Sequence, residues 1–268
     1  MTSGVASRPR HVSDSERVWL ALGAVVLLVL GLAPPLTTWA RHYEFVEALQ
    51  FSVFAMVVPA LLTCGAPWRF LRLAGTEGTG AGRAMDRLAA GCRRHPEFVR
   101  AFIPWLLFVA AIVAWRTPAA VDGVTRHFWL LVAEAASFAV VGVVLWLELV
   151  ESPPLLPRSP RPRRLAQAAF SMWAVWVLAY TEAMSNTSWY STFHHSAGHG
   201  LGASADHQVS TIVIWLVAAA AFMPVIFWNL YFWLRNDEDP DDELFRLMKE
   251  ERRRAWQVPK TLGGDPPA

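Results

Sequence analysis

Four histidines and an aspartate lie close together in one hydrophilic segment of the chain: His194, His195, His199, Asp206 and His207. Imidazole and carboxylate groups together suit Cu(II), Zn(II) and other borderline divalent ions, and a neutral imidazole needs no cysteine beside it. His195 and His199 are four residues apart, so both reach one ion if that stretch is helical. The segment therefore predicts a metal site, and a solvated loop is the alternative.

A second set of polar residues stands at the ends of hydrophobic segments: Glu47, Gln50, His127 and Glu134. Glu47 and Gln50 are three residues apart and share a helix face, and His127 shares a face with Glu134 if its helix starts early. Glu134 lies inside a hydrophobic segment, where an ionisable group costs about 2.5–3.5 kcal/mol on insertion scales. We therefore include these four residues as candidate metal ligands, and we expect Arg116 to lie close to Glu134 and neutralise it.

Six hydrophobic segments separate these residues, near positions 18–36, 45–64, 99–116, 128–150, 164–184 and 209–234. Each is long enough to cross about 30 Å of hydrocarbon, and hydrophobic residues make up 54% of the chain. A segment in lipid must satisfy its own backbone hydrogen bonds, and none of the six shows the alternation of a barrel strand. The sequence therefore predicts an all-α integral membrane protein, a bundle of six transmembrane helices.

Lysine and arginine are distributed unevenly over the hydrophilic parts. They occur before the first hydrophobic segment, in 65–98, in 151–164 and after the last segment, whereas 185–208 contains none. Loops rich in basic residues stay on the cytoplasmic side of a membrane. Both termini are therefore predicted to be cytoplasmic, and the histidine-rich loop to face outward. The net charge of +2 is an orientation signal, and no nucleic-acid partner is expected.

The predicted organisation has three parts: a cytoplasmic tail at 1–17, a six-helix domain at 18–234 and a second cytoplasmic tail at 235–268. The second tail begins with acidic residues and becomes basic after Met248. That order suits the dipole of a helix, so a short helix is predicted near 240–256.

Several functional classes find no support in the residues. No nucleophile, base and orienting group stand together, and no nucleotide-binding motif occurs, so an enzyme is not expected. A haem b oxidoreductase needs paired histidines inside the membrane helices, and no histidine lies clearly inside one, so no haem is expected. A transporter for copper or another cation is an alternative, with Glu47, Glu134 and Glu182 as an entry funnel.

Three blocks of sequence between about residues 44 and 234 carry a family pattern. The first is Glu47-Ala48-Leu49-Gln50-Phe51 with Val58-Pro59-Ala60 and Gly65-Ala66-Pro67; the second is Trp115-Arg116-Thr117-Pro118 with His127-Phe128-Trp129 and Glu134-Ala135; the third is Asp206-His207-Gln208 with Ile214-Trp215. In this order the blocks resemble the multi-spanning CtaG-like cytochrome c oxidase assembly factors. Glu47, Phe51, Arg116 and Ala135 stand where the family pattern has histidine.

The resemblance implies a factor that matures a haem–copper oxidase in the bacterial inner membrane. Such a factor would present copper, or hold an oxidase subunit, on the outer face, with oxidase subunits and the lipid bilayer as its partners. The positions that keep the family residue type are Gln50, His127, Trp129, Glu134, Asp206 and Gln208, and the four histidines of the 194–207 loop are additional. Two interpretations follow: either the loop has rebuilt a copper site, or the scaffold is kept and the metal is lost.

Overall fold

The computed structural model describes residues 13–70, 97–152, 159–185, 187–194 and 202–236, and these ranges contain no β-strand. The helices are α1 (Asp14–Leu32), α2 (Pro34–Ala40), α3 (Glu44–Gly65), α4 (Pro67–Phe70), α5 (Glu97–Trp115), α6 (Pro118–Arg126), α7 (Phe128–Leu149), α8 (Arg161–Ala183) and α9 (Ala203–Asn236). A 3-10 turn, Ser191–Phe193, lies between α8 and α9. The predicted all-α class is confirmed, and the predicted helix at 240–256 lies outside the described residues.

Four of these helices, α1, α3, α7 and α9, are long and apolar enough to cross a membrane. A fifth span results if Phe102–Trp115 of α5 and α6, which are bent by 69° at a short break, cross as one unit. The helix α8 lies where the fifth segment was predicted, but Gln167 and Glu182 lower its apolar character and it does not qualify. Helices thus occur at all six predicted places, while the six-span count and the cytoplasmic termini stay predictions.

The first predicted segment is divided into two helices. Ser13 begins α1 with a capping box, in which its hydroxyl accepts from the Glu16 N–H and the Glu16 carboxylate accepts from the Ser13 N–H. The helix ends at Leu32, and Pro34 starts α2, because a proline fits the first turn of a helix and not its interior. Arg17 belongs to α1, is buried, and donates to the Cys64 carbonyl at the end of α3.

The helix α3 is the centre of the bundle. In α3, 61% of the apolar stretch is buried by the rest of the protein, against 17% in α1 and 28% in α9. The helices α1, α7 and α9 all pack on α3, and α8 packs along α9. Aromatic pairs join the layers: Phe51 meets Phe138 edge to face at 5.3 Å, and Trp146 stacks on Phe222 at 5.3 Å.

A turn of π-helix, Val53–Val57, interrupts α3 just before Pro59. A proline inside a helix has no N–H to donate and its ring crowds the carbonyl four residues earlier, and a π turn there relieves that crowding. Pro59 faces Gly142 of α7, where an added Cβ would lie 2.5 Å from the Pro59 Cγ. The close approach of α3 and α7 therefore depends on the glycine.

We expect Gly142→Ala to destabilise the protein by about 1–3 kcal/mol, because the new methyl group overpacks the contact between α3 and α7. The measurement is the midpoint of thermal unfolding in detergent. Gly23→Ala is the matched control, since a Cβ at Gly23 in α1 meets only Leu61 Cδ1, at 4.0 Å. An equal effect of the two substitutions would contradict the packing argument.

Candidate functional site

Buried ionisable side chains gather at one end of the bundle and are called here the charged layer: Glu44, Glu47, Arg116, Glu134, Glu182, Asp206 and His207. Each of these residues exposes 3% or less of its surface. They come from the starts of α3, α7 and α9 and from the ends of α5 and α8. These helix ends meet because neighbouring helices run in opposite directions.

Arg116 is the centre of the charged layer. Its Nη1 donates to Glu47 Oε2 at 2.7 Å, and its Nε and Nη2 donate to the two oxygens of Glu182 at 3.0 and 2.9 Å. The two-pronged contact with Glu182 is the geometry in which arginine binds carboxylates most strongly. The guanidinium also lies 5.1 Å from the ring centroid of Phe51 and 4.9 Å from that of Tyr190. One side chain therefore joins α3, α8 and the junction of α5 with α6.

Tyr190 closes the charged layer from the loop after α8. Its hydroxyl donates to Glu182 Oε1 at 2.8 Å, and the residue has no exposed surface. Burial raises the pKa of the Tyr190 phenol, so the phenol stays protonated and remains a donor. The loop is fastened to α6 by Asp122, which accepts from the Ser191 hydroxyl at 2.6 Å and from the Thr192 hydroxyl at 2.7 Å.

His207 joins α9 to both α3 and α8. Its Nδ1 lies 2.7 Å from Glu44 Oε1, and its Nε2 lies 3.0 Å from the Glu182 backbone carbonyl. A carbonyl oxygen can only accept, so Nε2 carries a hydrogen, and one further proton lies between Nδ1 and Glu44. Ser210 also donates to Glu44 Oε1, at 3.1 Å. Both ring nitrogens of His207 are thus engaged inside the protein.

Asp206 caps a helix to which it does not belong. Its two carboxylate oxygens accept from the backbone N–H groups of Glu44, at 2.8 Å, and Phe45, at 3.0 Å. The residue at the N-cap position of α3 itself, Tyr43, makes no side-chain capping bond. The first N–H groups of a helix need acceptors and attract negative charge, and Asp206 supplies both.

The structure gives Arg116 two direct partners that were not predicted, in addition to its predicted neighbour Glu134. Its ion pairs are with Glu47 and Glu182, and no described pair joins it to Glu134. Glu134 is close enough to Arg116 and to Glu47 to interact electrostatically with both. The expected closeness of Arg116 and Glu134 agrees with this electrostatic interaction, but the direct ion pairs of Arg116 with Glu47 and Glu182 were not predicted.

The candidate ligands divide into buried and exposed groups. Glu47 and Gln50 share a face, as predicted, and line one crevice between α2, α3, α6 and α7. His127 precedes α7 in an extended conformation and is exposed, so the early helix start that would place it on one face with Glu134 does not occur. His194 is also exposed, with its Nε2 2.8 Å from the Ser188 carbonyl.

His195 and His199 lie outside the described residues, so the predicted loop site stays a prediction. Within the parts of the chain that the structure describes, no three His, Cys, Asp or Glu side chains are grouped so as to hold a metal ion. Sequence reasoning missed Tyr190 and Ser210, since no motif marks them. Glu182 was noticed as a possible part of a cation funnel, but not as a partner of Arg116. The sequence did offer one signal: several carboxylates and few arginines lie at this end of the helices, which indicates that more than one carboxylate would pair with the same arginine.

Comparison with known proteins fits this architecture. The family model of the cytochrome c oxidase caa3 assembly factors matches residues 3–236. The chain belongs to this family. No curated protein and no solved structure matches it. Three of the positions at which this assembly factor departs from the family pattern meet in space, because Arg116 contacts both Glu47 and Phe51.

We expect Arg116→Gln to destabilise the assembly factor by about 3–5 kcal/mol, because it leaves Glu47 and Glu182 as uncompensated buried charges. The triple variant Arg116→Gln, Glu47→Gln, Glu182→Gln should recover part of that loss, since it removes the charges together. Thermal unfolding in detergent measures both. Arg126→Gln is the control, because Arg126 is exposed. A triple variant less stable than Arg116→Gln alone would contradict the charge argument.

Asp206 offers a second test of the charged layer. Asp206→Ala should cost about 0.5–2 kcal/mol, because it removes the cap of α3, and Asp206→Asn should cost less, because its amide oxygen still accepts. The midpoints of thermal unfolding of the two purified variants show which substitution is more destabilising. If Asn and Ala are equally destabilising, the hydrogen bonds to Glu44 and Phe45 do not account for the role of Asp206.

Proposed function

We propose that this assembly factor holds a cytochrome c oxidase subunit at the charged end of its bundle during oxidase assembly. The observation that carries the proposal is the contrast between the inside and the surface of that end. Inside, the donors of Arg116 and His207 are taken up by neighbouring carboxylates and carbonyls. A layer built in this way holds helices rigidly in place and presents no unoccupied imidazole from its interior.

The surface of the same end carries large aromatic side chains, called here the aromatic rim: Trp39, Phe128, Trp129 and Trp189. They expose 59%, 53%, 66% and 43% of their surface, respectively. Tryptophan and other aromatic residues are enriched where proteins bind one another, and also at membrane–water interfaces. A rigid end with an aromatic rim is suited to a membrane protein partner that approaches at the level of the lipid headgroups.

The proposal sets the charged end on the outer side of a bacterial inner membrane. Its support is the distribution of basic residues: the segment 185–208 beside the charged layer has no Lys or Arg, whereas Arg161, Arg163 and Arg164 begin α8 at the other end. Basic residues favour the cytoplasmic side.

Copper delivery is the second candidate function, and the histidine-rich loop is its proposed site. The favouring observation is that His194, in the same loop as Trp189 of the aromatic rim, is exposed, and that His195 and His199 follow it in the sequence. Several imidazoles that converge on one ion would bind Cu(II) outside the membrane, where no cysteine of this chain is expected. His207, in contrast, is enclosed by Glu44 and the Glu182 carbonyl.

The aromatic rim gives the decisive test. We expect Trp129→Ala with Trp189→Ala to lower co-purification of oxidase subunits, and the amount of assembled oxidase in cells, by at least about tenfold, the loss expected from two central aromatic contacts. The matched control replaces Trp19 and Trp228, which expose 72% and 64% at the opposite end of the bundle. Equal oxidase levels in the two double variants, at equal protein abundance, would reject docking at the rim.

A variant with Ala at His194, His195, His199 and His207 separates docking from copper delivery. Since His207 also holds the bundle together, the variant with the first three replacements is measured beside it. Loss of Cu(II) binding and of oxidase activity with retained co-purification would support delivery by the loop. Full oxidase activity in the triple variant would leave docking as the function.

A further inference from the structure

A row of large exposed side chains follows the helix α8 and is called here the α8 seam: Phe170, Trp173, Val177, Tyr180 and, at the C-cap, Met184. They are separated by three and four residues in turn, so they form one line along the helix. The same spacing recurs where two helices pack side by side. The opposite face of α8, with Met172 and Val175, is buried in the bundle, and the seam is left for a further helix.

The other exposed helix faces differ from the α8 seam. On the described parts of α1, α5 and α7, the large exposed aromatic side chains all lie within the first two turns: Trp19, Phe102, Phe128 and Trp129. The large exposed side chains further along these helices are aliphatic, among them Val25, Leu106 and Val140. This is the pattern of a lipid-facing helix, because aromatic side chains favour the level of the headgroups. An aromatic side chain in the middle of α8 therefore needs another explanation.

Trp173 lies in the middle of the apolar part of α8 and exposes 62% of its surface. It stands ten residues before Ala183, or about 15 Å from the end of the helix at 1.5 Å per residue. Trp176, nearly one turn further along, stacks on Trp215 of α9 at 5.0 Å, which ties α8 to a helix apolar enough to cross a membrane. In the orientation proposed above, Trp173 is thus near the centre of about 30 Å of hydrocarbon.

The indole N–H of Trp173 makes no hydrogen bond within the described parts of the chain, whereas the Trp176 Nε1 donates to the Trp215 carbonyl at 3.2 Å. Lipid tails contain no acceptor, and the ester carbonyls of lipids lie at the edges of the hydrocarbon, far from this depth. A donor without an acceptor in an apolar surrounding is costly. The side chain is therefore suited to a protein neighbour that brings an oxygen atom to the middle of the membrane.

A groove between α8 and α9 runs beside the α8 seam. Trp173, Tyr180 and Trp215 line it together with the small side chains of Ala179 and Ala183. Small residues let the backbone of a second helix approach closely in a membrane, where packing and hydrogen bonds hold helices together. The groove therefore has room for side chains of a neighbouring helix that lies on the seam.

A second copy of this chain does not meet the requirement of Trp173. Two copies in one membrane have the same orientation, so a symmetric contact through the seam sets the two α8 helices parallel and Trp173 against its own counterpart. Two indole N–H groups then face each other. The nearest side-chain oxygen on the seam belongs to Tyr180, seven residues or about 10 Å along the helix. The partner must therefore carry an acceptor that the seam itself lacks.

We infer that the α8 seam binds one transmembrane helix of the oxidase subunit, with a hydroxyl, amide or carbonyl oxygen of that helix opposite the Trp173 N–H. The seam ends at Met184, five residues before Trp189 of the aromatic rim, so one partner can contact both. The inference rests on the proposed function and names the contact within the membrane that accompanies docking at the rim.

Photocrosslinking of the full-length protein in cells that make the oxidase tests the partner. The photoreactive residue p-benzoylphenylalanine replaces Phe170 in one variant and Val140 in the other. These positions match in exposure, 64% and 65%, and both lie 12 or 13 residues from the charged end of their helices, α8 and α7. We expect an adduct from position 170, with a peptide of an oxidase transmembrane helix identified by mass spectrometry, and none from position 140. An adduct of position 170 with a second copy, or equal adducts from both positions, would overturn the inference.

Trp173→Phe tests the hydrogen bond, because it keeps the aromatic ring and removes the N–H. We expect recovery of oxidase subunits with the purified protein to fall about threefold to tenfold, the factor for one hydrogen bond between membrane helices. The control is Trp19→Phe, an exposed tryptophan near the start of α1, which should leave recovery unchanged. Equal recovery with the two variants, at equal protein abundance, contradicts a bond to Trp173.

The same measurements separate this inference from docking itself. If the aromatic rim variants lose oxidase subunits while position 170 gives no adduct and Trp173→Phe has no effect, docking stands and the seam is a lipid-facing surface. If none of these variants changes recovery and no adduct with an oxidase subunit forms, both the docking function and the seam contact are rejected.

Discussion

The bundle depends on one buried guanidinium. Arg116 connects Glu47 of α3 with Glu182 of α8, and the rings of Phe51 and Tyr190 lie against its faces. A buried ion pair gives little net stability compared with apolar packing, but it is very costly to break. Its main contribution is therefore to specify one arrangement of helix ends, since any other arrangement leaves a charge in an apolar surrounding. The cap by Asp206 and the bonds of His207 extend the same constraint to α9.

The helices were predictable from the sequence because long apolar segments in lipid leave the backbone no other choice. The break at Pro34 and the π turn before Pro59 were not predicted, although the prolines were visible, because their effect depends on neighbouring packing such as that of Gly142. The pairing of buried charges was the feature hardest to predict from the sequence. Glu134 was singled out because it lies well inside a hydrophobic segment. Which carboxyl pairs with Arg116, however, depends on how separate helices are rotated about their axes and shifted along them.

The departures from the family pattern acquire a common meaning in three dimensions. Separately, Glu47, Phe51 and Arg116 were read as lost imidazoles. Together they form an ion pair covered by a ring, with Glu182 as the second carboxylate. An arginine introduced alone would be an unpaired buried cation, and a glutamate alone an unpaired buried anion. The two therefore compensate each other, which explains how this member tolerates buried charges at the ends of its helices.

The cap of α3 has a consequence for how the chain is built. The ribosome makes α3 long before α9, yet the acceptors for the first N–H groups of α3 are on Asp206 of α9. Until α9 has joined the bundle, the first N–H groups of α3 and the Glu44 carboxyl need other partners, such as water. A chain truncated before α9 would therefore lack more than one helix. It would also leave the first N–H groups of the central helix without the acceptors that fold against them in the complete bundle.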